Sequence, residues 1–280
     1  MDVANFESED DKDEAVFLVQ KASEAIAAWK AHQLRSINQD RARLEVPELL
    51  DPTCVLIVQD FAIKFIPAQY REAQSHFFGK RGISWHVSVC LRKVSGKLES
   101  QTFIHIIQSG LQDSTAVVLI VDHVLRLLKK QHPEIVSSFF RQDNAGCYHS
   151  AEIILSVDIL SKRSGIQINH VDFSDPQGGK GSCDRKAAQI KAHVKSFVNE
   201  GGSVTNVGEL KQAIESMGGV PGLRVTVMDV QKSAKSYKLD GISKLNNFNF
   251  ISDGFTAFRA YDLGPGKFFP WSSFESGIHC

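Results

Sequence analysis

Residues 55–66 read VLIVQDFAIKFI, and the fold turns on how this run is understood. It is rich in β-branched and aromatic residues, which suits a strand. It is also too apolar for an edge strand with one wet face. Asp60 interrupts it, and a carboxylate inside such a strand is costly unless it is paired or binds a metal. Working outward, residues 83–94 (ISWHVSVCLRKV) alternate at period two, with Ile83, Trp85, Val87 and Val89 on one face. Thr102–Ile107 reads as a third strand. Asp113 or Ser114 caps a helix whose Val117, Val121, Val124, Leu125 and Leu128 face inward, and Pro133 closes it. A fourth strand, SSFFRQ at 137–142, ends at Asp143-Asn144-Ala145-Gly146. Ser150 caps a second helix with Ala151, Ile154, Leu155 and Leu160 inward, stopped by Gly165. IQINHVDF at 166–173 is the fifth strand, and the glycine-rich loop PQGGKG at 176–181 leads into a helix from Cys183 to Asn199.

The order is β-β-β-α-β-α-β-α. Three strands form an antiparallel meander, and the later two, joined by crossovers, lie parallel to a neighbour. The expectation is an α/β fold with a mixed five-stranded sheet flanked by helices, occupying residues 53–202. Before it, residues 1–50 hold an acidic lead-in and an amphipathic helix. Ala15, Leu18, Val19, Ala22, Ala25, Ile26 and Trp29 make one apolar stripe that fades in the charged stretch from Arg35 to Glu45, with Pro47 and Pro52 marking the exit. After it, residues 203–280 bring a short helix (Val207–Ser216), a strand (Leu223–Val230), a Lys/Ser linker (Gln231–Lys238) and a crowd of aromatics. They read as a small β-rich C-terminal appendage whose rings form a core.

Composition narrows the function classes. The 280 residues balance 32 Lys+Arg against 32 Asp+Glu, so a protein that coats duplex nucleic acid with overall positive charge is excluded, and any such role falls to a local patch. The N-terminal stretch lacks a hydrophobic signal core and the longest aliphatic run, 116–121, is far short of a bilayer span. The expectation is an intracellular chain with no membrane role. Five scattered cysteines without a CxxC read as reduced thiols.

Three aspartates carry the chemistry. Asp60 lies in the first strand, Asp143 directly after the fourth, and Asp184 at the start of the last helix of the core. Strands one and four are expected neighbours, so their acids converge at one rim, where the helix can bring Asp184. Clustered carboxylates raise one another's pKa, and a hard divalent cation relieves that. Two such ions about 4 Å apart suit phosphodiester chemistry. Around the last helix, Lys191 and Lys195 fall within roughly 20° of Asp184. With Lys180 in the loop they offer an edge for a phosphate backbone.

VQDFAIKF, FRQDNAGCYH and GGKGSCDRKAAQIK, with acids 83 and 41 residues apart, resemble the acidic triad of the RNase H-like superfamily. The closest likeness is to the DDE/DDD transposases and integrases of eukaryotic DNA transposons. It covers about residues 53 to 200, and GISKLNNFNFISDGFTAFRAYDLGPGKFFPW is similar to segments that follow such cores. The resemblance implies strand cleavage and joining on DNA by Asp60, Asp143 and Asp184 with Mg2+ or Mn2+, transposon ends and a further copy of the chain as partners, and a nuclear location. The third acid is Asp where the family often has Glu, and no helix-turn-helix or zinc finger is recognisable. A core fragment, or a domesticated and inactive DNA- or protein-binding scaffold, is therefore the alternative.

Each acid has a plainer reading. Asp60 can answer Lys64 or Arg81, Asp143 can belong to a turn, and Asp184 can simply cap its helix. Asp172 and Asp175 are rivals for the third position. The glycine loop lacks the GxxxxGK[ST] spacing of a phosphate loop. Cys147, His149, His170 and Cys183 have no zinc-site spacing and read as scattered structural residues.

Overall fold

The computed structural model describes residues 6–73, 75, 78–174, 181–232 and 237–274. A helix, α1 (Glu9–Glu48), leads into the first strand, β1 (Cys54–Phe61). A two-residue strand β2 (Ala68–Gln69) precedes a long hairpin, β3 (Ser84–Val94) and β4 (Lys97–Ile107). Then come α2 (Ser114–Gln131), β5 (Ser137–Asp143), α3 (Ala151–Ser164), β6 (Gln167–Ser174) and α4 (Ser182–Asn199). The chain continues through β7 (Ser203–Val204), α5 (Val207–Glu215), β8 (Leu223–Met228), β9 (Asn247–Ile251), β10 (Gly254–Phe258) and β11 (Lys267–Pro270).

The main sheet has nine strands in the order β11-β10-β9-β6-β5-β1-β3-β4-β8. Its centre is β1, antiparallel to β3 and parallel to β5, which is itself parallel to β6. Two expectations need correction. The sheet is not five-stranded, because the segments read as an appendage extend it at both edges: β8 runs parallel to β4, and β9 runs antiparallel to β6. The third strand also starts five residues earlier than Thr102. Ser95 and Gly96, at φ 51° and 75°, form the tight two-residue turn that suits strand twist, so the hairpin zips from its tip out in solvent.

Helices cover both faces. α2 and α3 press Val117, Leu125, Ile154 and Leu160 onto Val55, Ile57, Phe103 and Phe140. The opposite face receives α4 and α5, whose Ile190, Val194, Leu210 and Ile214 join Trp85, Val87 and Ile104. Fully burying each such aliphatic side chain stabilises the fold by about 1.5–3 kcal/mol. Local signals end the helices where the sheet needs them to end. Asp113, not Ser114, is the N-cap of α2, accepting from the Ala116 amide at 3.0 Å, and Gly165 closes α3 in the left-handed region at φ 69°.

The charged stretch 35–45 does not end α1. It is the part that docks: Asn38, Gln39, Ala42 and Val46 are buried, and Gln39 donates to the Phe173 carbonyl at 2.9 Å. Val46 and Leu50 pack on Cys54 and Leu56. The polar residues between them face water in intrahelical pairs such as Arg41–Glu45 at 3.3 Å. Among the described residues, no helix is long and apolar enough to cross a membrane.

Candidate functional site

Side chains alternate along a strand, so β1 sends Val55, Ile57 and Phe61 toward α2 and α3, and Leu56, Val58 and Asp60 toward the other face. On β5, Phe140 and Gln142 point as Ile57 does, and Phe139, Arg141 and Asp143 point as Asp60 does. The parallel register pairs Gln59 with Gln142. One residue further along each strand stand Asp60 and Asp143, on neighbouring strands about 4.8 Å apart and on one face. Asp143 is the last residue of β5 and not the first beyond it.

The third acid arrives on α4. The Cys183 thiol donates to the Val58 carbonyl at 3.2 Å and reaches that of Val87 at 3.6 Å, which pins the first turn of the helix over β1 and β3. Asp184 is the next residue. The Asp60 carboxyl is pushed up from its ordinary 3.8 to about 6, first by burial, then by the charge of Asp143, then by that of Asp184. Asp143 and Asp184 therefore each lie within electrostatic reach of Asp60, near the carboxyl ends of β1 and β5.

Each of the other two acids also has a local partner. Asp143 accepts from the Asn144 amide at 2.6 Å, and Asp184 accepts from the Gly181 amide at 3.1 Å, as a capping acid does. Beside Asp143, the Asn144 Oδ1 is buried with no hydrogen-bond partner among the described residues. A buried oxygen in that state has bonding capacity to spare. Oxygen-only donors, with a carboxyl whose pKa is raised first by burial and then by its neighbours, are of the kind a hard divalent cation takes. As they stand, no group of three His, Cys, Asp or Glu side chains among the described residues is close enough together to hold one.

The remaining candidates fall into place. Asp60 makes no ion pair with Lys64 or Arg81 among the described residues. Asp172 is not at the rim. It is buried in an ion pair with Arg141 at 3.2 Å and accepts from Asn247 at 3.1 Å. Lys191 lies over the Trp85 ring, 5.9 Å from its centroid, and Lys195 is exposed on the same helix. Lys180, Asp175 and most of the glycine loop lie outside the described residues. Cys183 bonds backbone carbonyls, His149 meets the Leu245 carbonyl at 2.8 Å, and His170 meets Asn247 at 2.6 Å, so these residues are structural.

Sequence reasoning missed a polar layer under the rim, on the opposite face of the sheet. The Gln59 amide donates to Gln142 in the buried interior. Beside it lie the fully buried Tyr148, His86 and His105, with Phe61 edge-on to His86 at 4.9 Å. Burial, followed by the charge of Asp60, pushes the Tyr148 phenol well above its usual range. His105 meets His123 of α2 at 2.9 Å, and burial drives the His105 imidazole down to about 3. The signal was present: Gln59, His86 and His105 occupy inward positions of alternating strands, where apolar residues are the rule.

A family model described as "Domain of unknown function (DUF8701)" matches residues 40–254. Among solved structures, the Mos1 transposase paired-end complex with left transposon end is similar at 10% identity over 49% of this chain, with a TM-score of 0.27. The match spans 41% of the Mos1 chain. The human cytomegalovirus terminase nuclease domain, Mn soaked, is similar at 10% identity, covering 63% of this chain and 67% of that one, with a TM-score of 0.25. No curated protein matches. At TM-scores this low the likenesses leave the functional reading to the carboxylates themselves.

Proposed function

We propose that this chain, which belongs to the DUF8701 family of unknown function, is an RNase H-like core that performs divalent-metal-dependent phosphoryl transfer on DNA. Asp60, Asp143 and Asp184 would be its metal-holding residues. The carrying observation is the Asp60 carboxyl, held at about 6 by burial and by the two other acids. Like charges gathered on purpose cost stability, and function is the usual compensation.

Bound by Asp60, Asp143 and Asp184, Mg2+ or Mn2+ would supply Lewis acidity toward an attacking hydroxyl and the leaving 3′ oxygen. The chain's own residues do the rest. Asp60, held at about 6 by burial and by the two other acids, would have to be ionised to serve as a ligand. The Gln59–Gln142 amide pair locks β1 against β5 beneath the acids and fixes their spacing. Lys191, steadied on Trp85, and Lys195, one turn on, place two cations along α4 for the phosphate backbone of a DNA strand. Transposon ends are the DNA partner this reading implies.

Two observations favour a second reading, an inactive binding scaffold: Asp184 is engaged by Gly181, and the three acids do not form a ready cage among the described residues. Calorimetric titration with Mn2+ and nicking of branched DNA separate the two. The proposed function requires that wild type bind Mn2+, that Asp60→Ala lose at least tenfold in affinity, and that nicking disappear with it. No Mn2+ binding by wild type, or equal binding by Asp60→Ala, removes the enzymatic reading.

A further inference from the structure

A second feature stands apart from the acidic rim. α1 is 40 residues long, yet only Asn38, Gln39, Ala42 and Val46 are buried. Leu18, Val19, Ile26 and Trp29 are 57%, 48%, 54% and 59% exposed. A lone helix draws most of its stability from packing an apolar face, yet residues 16–34 are exposed among the described residues. Ala15, Leu18, Ala22, Ala25 and Trp29 follow one another at steps of three, four, three and four, the spacing of a two-helix seam.

We propose that this stripe is a self-association surface, on which a second copy of the chain lays its own α1 antiparallel, with Ala22 at the two-fold axis. Charge decides the direction. Residues 7–14 carry six acids and one lysine. Parallel pairing would set two such stretches side by side, and like charges in register repel. Antiparallel pairing about Ala22 moves each acidic end toward the other copy's basic half and places Glu14 opposite Lys30. It also matches sizes: Ala15 meets Trp29, Leu18 meets Ile26, and Val19 meets Ala25. Each residue touches its mate reciprocally, as an isologous interface requires. Because 16 residues separate Ala22 from Asn38, where docking begins, the two sheets would hang from opposite ends of the pair. At 1.5 Å per residue their attachment points lie about 48 Å apart.

Sedimentation of the full chain between 1 and 100 µM tests the surface, and site-directed crosslinking tests the direction. The wild type is expected to be a dimer, and Ala22→Glu, on an exposed face that leaves the fold intact by circular dichroism, is expected to weaken it at least tenfold. Under mild oxidation Ala22→Cys should link to itself above the wild-type background. Ala15→Cys should not link to itself, but should link to Trp29→Cys when the two chains are mixed. Glu14→Lys should weaken the dimer, and adding Lys30→Glu should restore it. A wild type that stays monomeric at 100 µM, a dimer indifferent to Ala22→Glu, or self-linking of Ala15→Cys would each overturn the proposal.

Discussion

Asp60→Asn is the perturbation that most directly probes the acidic rim, because it needs neither metal nor DNA. The folded carboxyl sits at about 6 against an ordinary 3.8. Folding therefore favours its protonated form. The contribution of this one carboxyl to stability is greatest below about pH 4 and declines as pH rises through 6, where the folded protein must ionise a group it prefers neutral. The interval of roughly two pH units, at about 1.4 kcal/mol each, sets a ceiling near 3 kcal/mol. Asp60 keeps part of its surface wet, so solvent screening lowers this to about 1–2 kcal/mol. Asn has the same shape and no charge to lose. Urea unfolding of both proteins at half-unit steps from about pH 2.5 to about pH 8 should give curves that run parallel below about pH 3. They should then separate, with the variant the more stable by about 1–2 kcal/mol above pH 7. Other titrating groups are common to both proteins and cancel in the difference. A gap that does not change with pH, or a wild type more stable than the variant at pH 7.5, would refute the reasoning that burial and two like charges strain this carboxyl.

The buried ion pair and the polar layer give further tests. Arg141→Met strands Asp172 in the interior and should cost about 3–5 kcal/mol in urea unfolding at pH 7; changing both partners to apolar residues should cost much less. Gln59→Leu alone leaves the Gln142 amide unpaired and should cost about 1–3 kcal/mol, whereas Gln59→Leu with Gln142→Leu should fall near wild type in the same assay. His105, held at about 3 by burial and by His123, contributes stability above pH 6.5 that is lost as pH falls toward 3. His105→Leu should accordingly flatten the acid limb of the urea midpoint plotted against pH.

The strands and helices between residues 54 and 199 were legible because each carries its own evidence. β1 is apolar on both faces over residues 54–58, α2 and α3 are capped by Asp113 and Ser150, and Gly165 stops α3 in a conformation that favours glycine. What was not legible depends on pairing at a distance. Leu223–Met228 has the same pattern whether it stands in an appendage or lies against Thr102–Ile107. The start of β4 is a different case, since Ser95-Gly96 is a turn signal that the sequence displays. The acids were readable one at a time, from their strand positions, but their joint effect rests on a register no local pattern contains. Gln59 and Asp60 are consecutive, each costly in a central strand, and point to opposite faces. Both depend on β5. Gln142 accepts from the Gln59 amino group, while Asp143 burdens the carboxylate. A slip of one residue would turn the β5 side chains to the other face, leaving Gln59 without its amide partner and carrying Asp143 away from Asp60. The register that pairs the two amides is therefore the one that sets the two carboxylates side by side.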